Sequence, residues 1–409
     1  MTAARPYIPL AGTGAPKAPL FRQSRKMQLW IWWRETDRVL LGLVIALMAV
    51  GSIAVAAASP ASARRLSTSA VRLDDLYFYW AHVRWQVLGL LAMLGVSFLP
   101  RDLARRGAIL LGLAMLGALV LVPFVGSEVN GARRWLDLGM RFQPSAFLKP
   151  GFAVLLAWIL SWKLRDPRLP VIQITAGLTG LVGVLLMAQP NFGDAVLFVG
   201  CWMVMAMLAG MPMQRIGMAA GGGIGLLVLA YLFYDNARHR IDSFIGGGTA
   251  FDQVDLASRT LLGGGWTGTG LWLGRRKMQL PEAHTDYIFS VIGEEFGLLV
   301  CALVVVLYAA IVARVLVRML EEENLFALLA AGGLVTLFGG QAFINILVNL
   351  QLFPSKGMTL PLVSYGGSST IAQCVLVGLL LAITRRNPFL TREGVGITAP
   401  LPQARRAKA

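Results

Sequence analysis

The sequence predicts an all-α protein: a polytopic membrane helix bundle with about ten transmembrane helices and one large outer loop. Three observations lead there. Of 409 residues, 56% are hydrophobic and only 14% are charged, whereas soluble domains carry roughly 25% charged residues. Several nearly uncharged runs exceed the ~18 residues that a spanning helix needs. The runs are also continuous rather than alternating, which excludes a transmembrane β-barrel. The mean hydropathy of +0.65 agrees.

Taken in order, residues 1–38 form a basic, proline-containing tail expected to stay flexible. Trp30, Trp32 and Trp33 near its end read as an interfacial aromatic anchor. The first apolar run is long enough to be a span, so no cleavable signal peptide is expected. Spans are expected at 39–59, 83–99, 107–125, 145–162, 171–189, 194–210, 216–234, 287–313, 325–350 and 368–384, giving a transmembrane domain over 39–388 and a C-terminal tail over 389–409. An even number puts both termini on one side. Most of the 37 Lys and Arg residues fall on segments sharing that side, so both termini are expected to be cytoplasmic. The net charge of +16 fits basic loops that orient spans and meet anionic lipid. Nucleic acid is not an expected partner. Cys201, Cys301 and Cys374 sit inside apolar runs, and His82, His239 and His284 are scattered, so no metal-ligand cluster is visible.

Positive charge kept on the outer side, against the orienting preference, points to an anionic ligand. It gathers at Arg133, Arg134, Arg141 and Lys149 around the fourth span, and at Arg238, Arg240, Arg259, Arg275, Arg276 and Lys277 in the large outer loop, 235–285. That loop is rich in glycine (246–248, 263–265, Gly268, Gly270), which permits tight turns and close approach. No strand precedes these glycines and no Gly-Lys-Ser/Thr follows them, which argues against a nucleotide site and an ATP-driven pump. Pro144 suits a helix start. Lys149, about a turn inside, either snorkels to the interface or points into a wet cavity. The turn Gln189-Pro-Asn-Phe-Gly-Asp194 reads as tight, with Asp194 capping the sixth span. The stretch 353–370 holds two prolines, three glycines and a run of hydroxyls, so it reads as re-entrant, tolerated only where buried or lining water. Its serine-rich end is expected to cap the last helix. Asp286, in Pro281-Glu-Ala-His-Thr-Asp286, stands where this polar loop meets a long apolar run, a costly place for a carboxylate without a use or a partner.

Together these motifs resemble the SEDS family of bacterial peptidoglycan glycosyltransferases. The matching pieces are Gly131-Ala-Arg-Arg-Trp135, Gln143-Pro-Ser145 with Lys149, Gln189-Pro190 with Phe192-Gly193, Ala283-His-Thr-Asp286 with Gly293-Glu-Glu295, and Pro361-Leu-Val-Ser-Tyr-Gly-Gly-Ser-Ser369. They follow the family's order across residues 39–388. Pro354-Ser-Lys-Gly-Met-Thr-Leu-Pro361 and the basic tail resemble the division member, with the elongation member as the close alternative. Two positions depart from the family's pattern: Ala146 stands where Glu is usual, and Asn191 followed by Asp194 replaces the common Gln-Pro-Asp-Phe-Gly-Thr turn.

The resemblance implies that lipid II disaccharide units are joined into glycan strands with release of undecaprenyl diphosphate, in septal wall synthesis at the bacterial inner membrane. It implies Asp286 as the essential aspartate. A sugar hydroxyl needs a general base, and an ordinary aspartate, with a pKa near ~3.9, is already ionised at neutral pH. The leaving diphosphate calls for cations: Arg134 and Lys149 first, with Arg133, Arg275 and Lys277 as further candidates and Ser368 as a further substrate contact. Glu294 and Glu295, about 12–14 Å farther along a helix, read as structural or gating groups. His284 reads as a loop hydrogen-bonder. No cofactor is evident, and a divalent cation beside the diphosphate stays open. Expected partners are lipid II, a class B penicillin-binding protein supplying the transpeptidase, and other divisome membrane proteins. From other classes, a lipid II flippase and a non-catalytic division scaffold remain alternatives. No inverted repeat is visible to favour transport.

Overall fold

The computed structural model describes residues 25–385 except 69–70, 130–131, 138, 140, 165, 234–237, 239–241, 243–252 and 355–356. Both expected terminal tails beyond that range, together with Gly131, His239, Arg240, the glycines at 246–248 and Lys356, lie outside the described residues. The chain builds α1 (Arg25–Glu35), α2 (Arg38–Leu66), α3 (Tyr77–Ser97), α4 (Arg101–Val125), three short strands, α5 (Pro144–Ser161), α6 (Val171–Ala188), α7 (Phe192–Leu208), α8 (Met213–Phe233), α9 (Gln253–Gly263), α10 (Ile288–Met319), α11 (Leu325–Asn349) and α12 (Gly367–Ile383). Six of these helices, α2, α4, α5, α6, α10 and α11, are long and apolar enough to cross a membrane, and α7 and α12 are shorter apolar helices of 17 residues. The protein is a multi-pass membrane helix bundle.

Helix ends follow from local chemistry. Asp37 caps α2 by accepting from the N–H groups of Val39 and Leu40 at 3.1 and 3.2 Å, Pro144 opens α5, and Asn324 caps α11 through the Ala327 N–H at 3.2 Å. α5 is the central helix. It is buried along almost its whole length and packs against α4, α6, α7, α11 and α12. Its contact with α4 is backbone against backbone: a side chain on Gly112 would stand 2.9 Å from the Gly151 carbonyl carbon. Small residues at such crossings replace the hydrophobic drive that lipid does not supply.

Three features differ from the expectation. Residues 25–35 of the tail are helical, not flexible, because Trp32 stacks on Phe98 at 4.4 Å and donates to Ser97 Oγ at 3.1 Å. The all-α bundle carries a three-stranded antiparallel sheet, β1 (Ser127–Val129), β2 (Ala132–Asp137) and β3 (Arg141–Phe142), in the order β1-β2-β3. And α10 is not one regular helix. It breaks at Gly297, whose φ of 83° and ψ of 174° are non-helical. The freed groups there bond to the preceding loop: Leu298 N–H donates to the Gly265 carbonyl at 3.0 Å, and Thr269 N–H to the Glu294 carbonyl at 2.9 Å.

At one end of the bundle Asp37 pairs with Arg314 at 2.8 Å and Arg318 at 2.9 Å. At the other end lie the sheet, the loop before α10 and the non-helical run between α11 and α12. In that run Met358, Leu360, Leu362, Val363 and Ser364 are buried, as irregular backbone at membrane depth requires.

Candidate active site

Asp286 is half-buried two residues before α10. It is held by its backbone. Asn345 Nδ2 donates to the Asp286 carbonyl at 2.8 Å and to the Met358 carbonyl at 2.5 Å. Asn349 Nδ2 donates to the same Asp286 carbonyl at 3.2 Å, while its Oδ1 accepts from Ser290 Oγ at 2.8 Å. One turn earlier, Gln341 Nε2 donates to the Thr359 carbonyl at 2.8 Å. Gln341, Asn345 and Asn349 recur every four residues, so they share one face of α11 and stitch the Asp286 loop to the re-entrant run. Sequence reasoning missed this ladder. Its signal is three amides at i, i+4 and i+8 inside an apolar helix.

The re-entrant run brings Gly357 to the site. Its φ of +61° lies in the left-handed region, which glycine adopts without steric cost. A side chain there would stand 3.4 Å from Asp286 Oδ2 and 3.9 Å from Arg134 Nη1. The carboxylate and the guanidinium therefore converge on one point. Arg134 is aimed by the turn before α7, donating from Nε to the Gln189 carbonyl at 3.1 Å and from Nη2 to the Pro190 carbonyl. Arg133 is not at the site. Successive strand side chains point to opposite faces, and Arg133 is exposed, bonded to Glu128 at 3.3 Å.

Two of the other expected anion contacts are occupied elsewhere. Lys149 neither snorkels nor faces a free anion. It is 4% exposed, paired with Asp194 at 2.8 Å and bonded to Gln341 Oε1 at 2.7 Å. Asp194 in turn accepts from Ser145 Oγ at 2.9 Å and Asn191 Nδ2 at 2.8 Å. The cap of α7 is Asn191, not Asp194, because the Asp194 carboxylate turns inward to the lysine. Ala146 lies three residues before Lys149 on α5, and the acid paired with that lysine comes from Asp194 on α7. Lys277 is fully buried, bonded to Glu295 and, at 2.7 Å, to the Ala57 carbonyl. Arg275 is exposed beside it. The serine-rich end does not cap α12 as expected: its N-cap is Gly366, with no side-chain bond to the helix end, and Ser368 is 7% exposed with no hydrogen-bond partner for its Oγ among the described residues.

Glu294 and Glu295 clasp the loop. Glu294 accepts from the N–H groups of Arg276 at 2.7 Å and Lys277 at 2.8 Å. Glu295 accepts from those of Trp272 and, at 3.2 Å, Gly274. His284 is also tied down, with Nδ1 2.8 Å from Ser62 Oγ and its ring 4.3 Å from that of Phe78. Burial pushes its imidazole down to about 4, against the raising pull of Glu282. Between its ordinary ~6.5 and that value the unfolded chain binds more protons than the folded one. Stability from this group is complete above the window and is lost as pH falls through it. Thermal unfolding of the purified protein is expected to shift downward on acidification across that window, and less so in His284→Gln.

The family model of the FtsW/RodA/SpoVE cell cycle proteins matches residues 37–388. The chain is 34% identical over 371 residues to a probable peptidoglycan glycosyltransferase FtsW of Caulobacter vibrioides, covering 90% of this chain and 94% of that one. It is 35% identical over 361 residues to the corresponding protein of Methylococcus capsulatus, covering 85% and 89%. Among solved structures it is similar to a chain of a peptidoglycan synthase complex that coordinates polymerization and crosslinking, with a TM-score of 0.71 and 29% identity over 86% of this chain and 98% of that one. It is also similar to the rod shape determining protein RodA of Thermus thermophilus, with a TM-score of 0.63 and 29% identity over 86% and 97%.

Proposed function

The chain belongs to the FtsW/RodA/SpoVE family of cell cycle proteins, and from that membership and the site we propose that it is the glycan polymerase of septal wall synthesis. It joins lipid II disaccharide units into strands and releases undecaprenyl diphosphate. The observation that carries this reading is the convergence of Asp286 and Arg134 at Gly357, an acid and a cation brought to one point.

The chemistry follows from that pairing. The 4-hydroxyl of the acceptor sugar attacks the anomeric carbon of the donor, and Asp286 takes the hydroxyl proton as the new C–O bond forms. The bond from the anomeric carbon to the diphosphate breaks, and its electron pair leaves with the diphosphate. Arg134 is placed to receive the charge that grows there. Preorganised cations act most strongly where charge develops in the transition state. A divalent cation, where one is bound, would accompany the diphosphate of the substrate, since among the described residues no group of three His, Cys, Asp or Glu side chains gathers to hold one. Arg134→Ala is expected to lower kcat/KM for lipid II by about 10- to 100-fold, the range for hydrogen bonds to charged groups of ~1.5–3 kcal/mol. An unchanged kcat/KM would remove Arg134 from the site.

In this reading the Asp286 end faces the periplasm, the Asp37 end and both termini face the cytoplasm, and the protein works at the septum of the inner membrane. The partner is a class B penicillin-binding protein, which adds the crosslinking step named for the similar synthase complex. Division rather than elongation is supported by the motif 354–361 and the FtsW-named relatives, and the position of the tagged protein in dividing cells tests it: mid-cell is expected for division, the side wall for elongation. Purified protein reconstituted with lipid II tests the activity itself. Polymer supports the proposal. Lipid moved between leaflets without polymer would make the protein a flippase, and neither outcome would make it a scaffold.

A further inference from the structure

Five large apolar side chains within twelve residues of the loop before α10 are exposed. They are Leu262, Trp266, Leu271, Trp272 and Leu273, from 44% to 72%. A loop of a water-facing domain does not carry such an edge without a purpose. Its level relative to the bilayer follows from α10. That helix has 32 residues, about 48 Å at 1.5 Å per residue, while a hydrocarbon core is ~30 Å thick, or about 20 residues. Arg314 and Arg318, clamped by Asp37, mark where the helix leaves hydrocarbon at one end. About 20 residues back from Arg314 the helix reaches Glu294 and the Gly297 break. α11 gives the same level: about 20 residues from Leu325 it reaches Asn345, within the amide ladder.

The loop packs at that level. Gly268, with φ of +83°, sits so close to the α10 backbone that any side chain there would collide with Glu295. The loop's N–H groups at Trp272, Gly274, Arg276 and Lys277 are all taken by the two carboxylates, and Lys277 offsets part of their charge. Satisfied backbone is what a segment at the edge of hydrocarbon must have. Arg275 and Arg276 are exposed next to the apolar edge. Tryptophan beside arginine is the composition of the headgroup–acyl boundary, where rings sit in the boundary and cations meet lipid phosphate.

We propose that residues 262–273 form an interfacial anchor seated in the headgroup–acyl boundary of the leaflet at the Asp286 end, its depth fixed by the Glu294–Glu295 clasp. The occupant of the exposed edge is lipid. The anchor holds Asp286, eight residues before Glu294, at headgroup height and out of the hydrocarbon. This conclusion stands on packing and lengths, independently of the reaction assigned to the protein.

The test uses the full chain in anionic bilayers of phosphatidylglycerol and phosphatidylcholine. Nitroxide labels go on Leu273→Cys and, separately, Trp266→Cys. The three native cysteines are buried and a parallel unsubstituted sample corrects for them. Accessibility to dissolved oxygen is compared with accessibility to a polar nickel chelate, with labels at Leu299→Cys on α10 and Glu321→Cys at the far end as lipid and water references. The expected result is a ratio shifted toward oxygen at both positions, near that of Leu299→Cys. A ratio near that of Glu321→Cys would overturn the proposal by placing the edge in water. Exclusion of both reagents would overturn it too, by showing the edge covered by protein, such as a second copy. Two label sites guard against one variant failing to fold.

Discussion

Asp286→Asn is expected to cut glycan polymerisation by about 10²–10⁴-fold, the range supplied by a positioned general base, with the fold intact. Its carbonyl accepts from Asn345 at 2.8 Å and Asn349 at 3.2 Å, and the substitution leaves those bonds in place. Its carboxylate shares the Gly357 point with Arg134, and only the carboxylate can take a proton from a sugar hydroxyl. The amide is nearly the same shape, so binding of lipid II is expected to survive while the chemical step is lost: kcat falls and KM stays close to its value. The measurement is strand formation from lipid II by the purified variant, with its thermal unfolding curve as the control. Wild-type rates from a folded variant would end Asp286's assignment as the base.

Asp194→Thr is expected to carry the second large effect, and through a different mechanism. Lys149 and Asp194 are both almost wholly buried. Removing one partner of such a pair leaves an uncompensated buried charge, at a cost of about 3–5 kcal/mol. Loss on that scale is comparable to much of a domain's net stability and would appear as a markedly lower unfolding temperature. The informative variant is the double one. Ala146 lies three residues before Lys149, and residues three apart on a helix are neighbours. Ala146→Glu added to Asp194→Thr returns a carboxylate to the lysine from the other side and is expected to recover most of the stability. No recovery would show that Asp194 does more at this place than balance charge. The same pair explains why Lys149 is a poor candidate for direct contact with diphosphate: its ammonium is buried and bonded to Asp194 and Gln341 inside the bundle.

Much of the molecule was legible before any coordinates. Run lengths gave the apolar helices of the bundle, and Pro144 gave the start of α5. The prolines and glycines of 353–370 gave the non-helical run. Glu294 and Glu295, read as structural or gating groups, bind the N–H groups of the loop before α10. Other features were hidden for identifiable reasons. Alternation along β2 separates Arg133 from Arg134, and the strand's register on the sheet is not written in the dipeptide. The carboxylate at 194 looked like a cap because its neighbours in sequence are a turn and a helix start, while its partner lies 45 residues away. The amides of α11 drew no reading from the sequence, because their acceptors, Asp286 before α10 and Met358 and Thr359 after α11, are brought to them only by the fold.

The chain's own composition and periodicity therefore determined that it is a membrane bundle, where its helices run and which few segments depart from them, because burial in lipid demands long apolar runs with internally satisfied backbone. Tertiary structure alone decided how the charges are used. Whether a cation faces the site or is consumed by a buried acid depends on contacts between residues far apart in sequence: Lys149 and Lys277 are each paired with a buried carboxylate, while Arg134 is held by the turn before α7 close to Asp286.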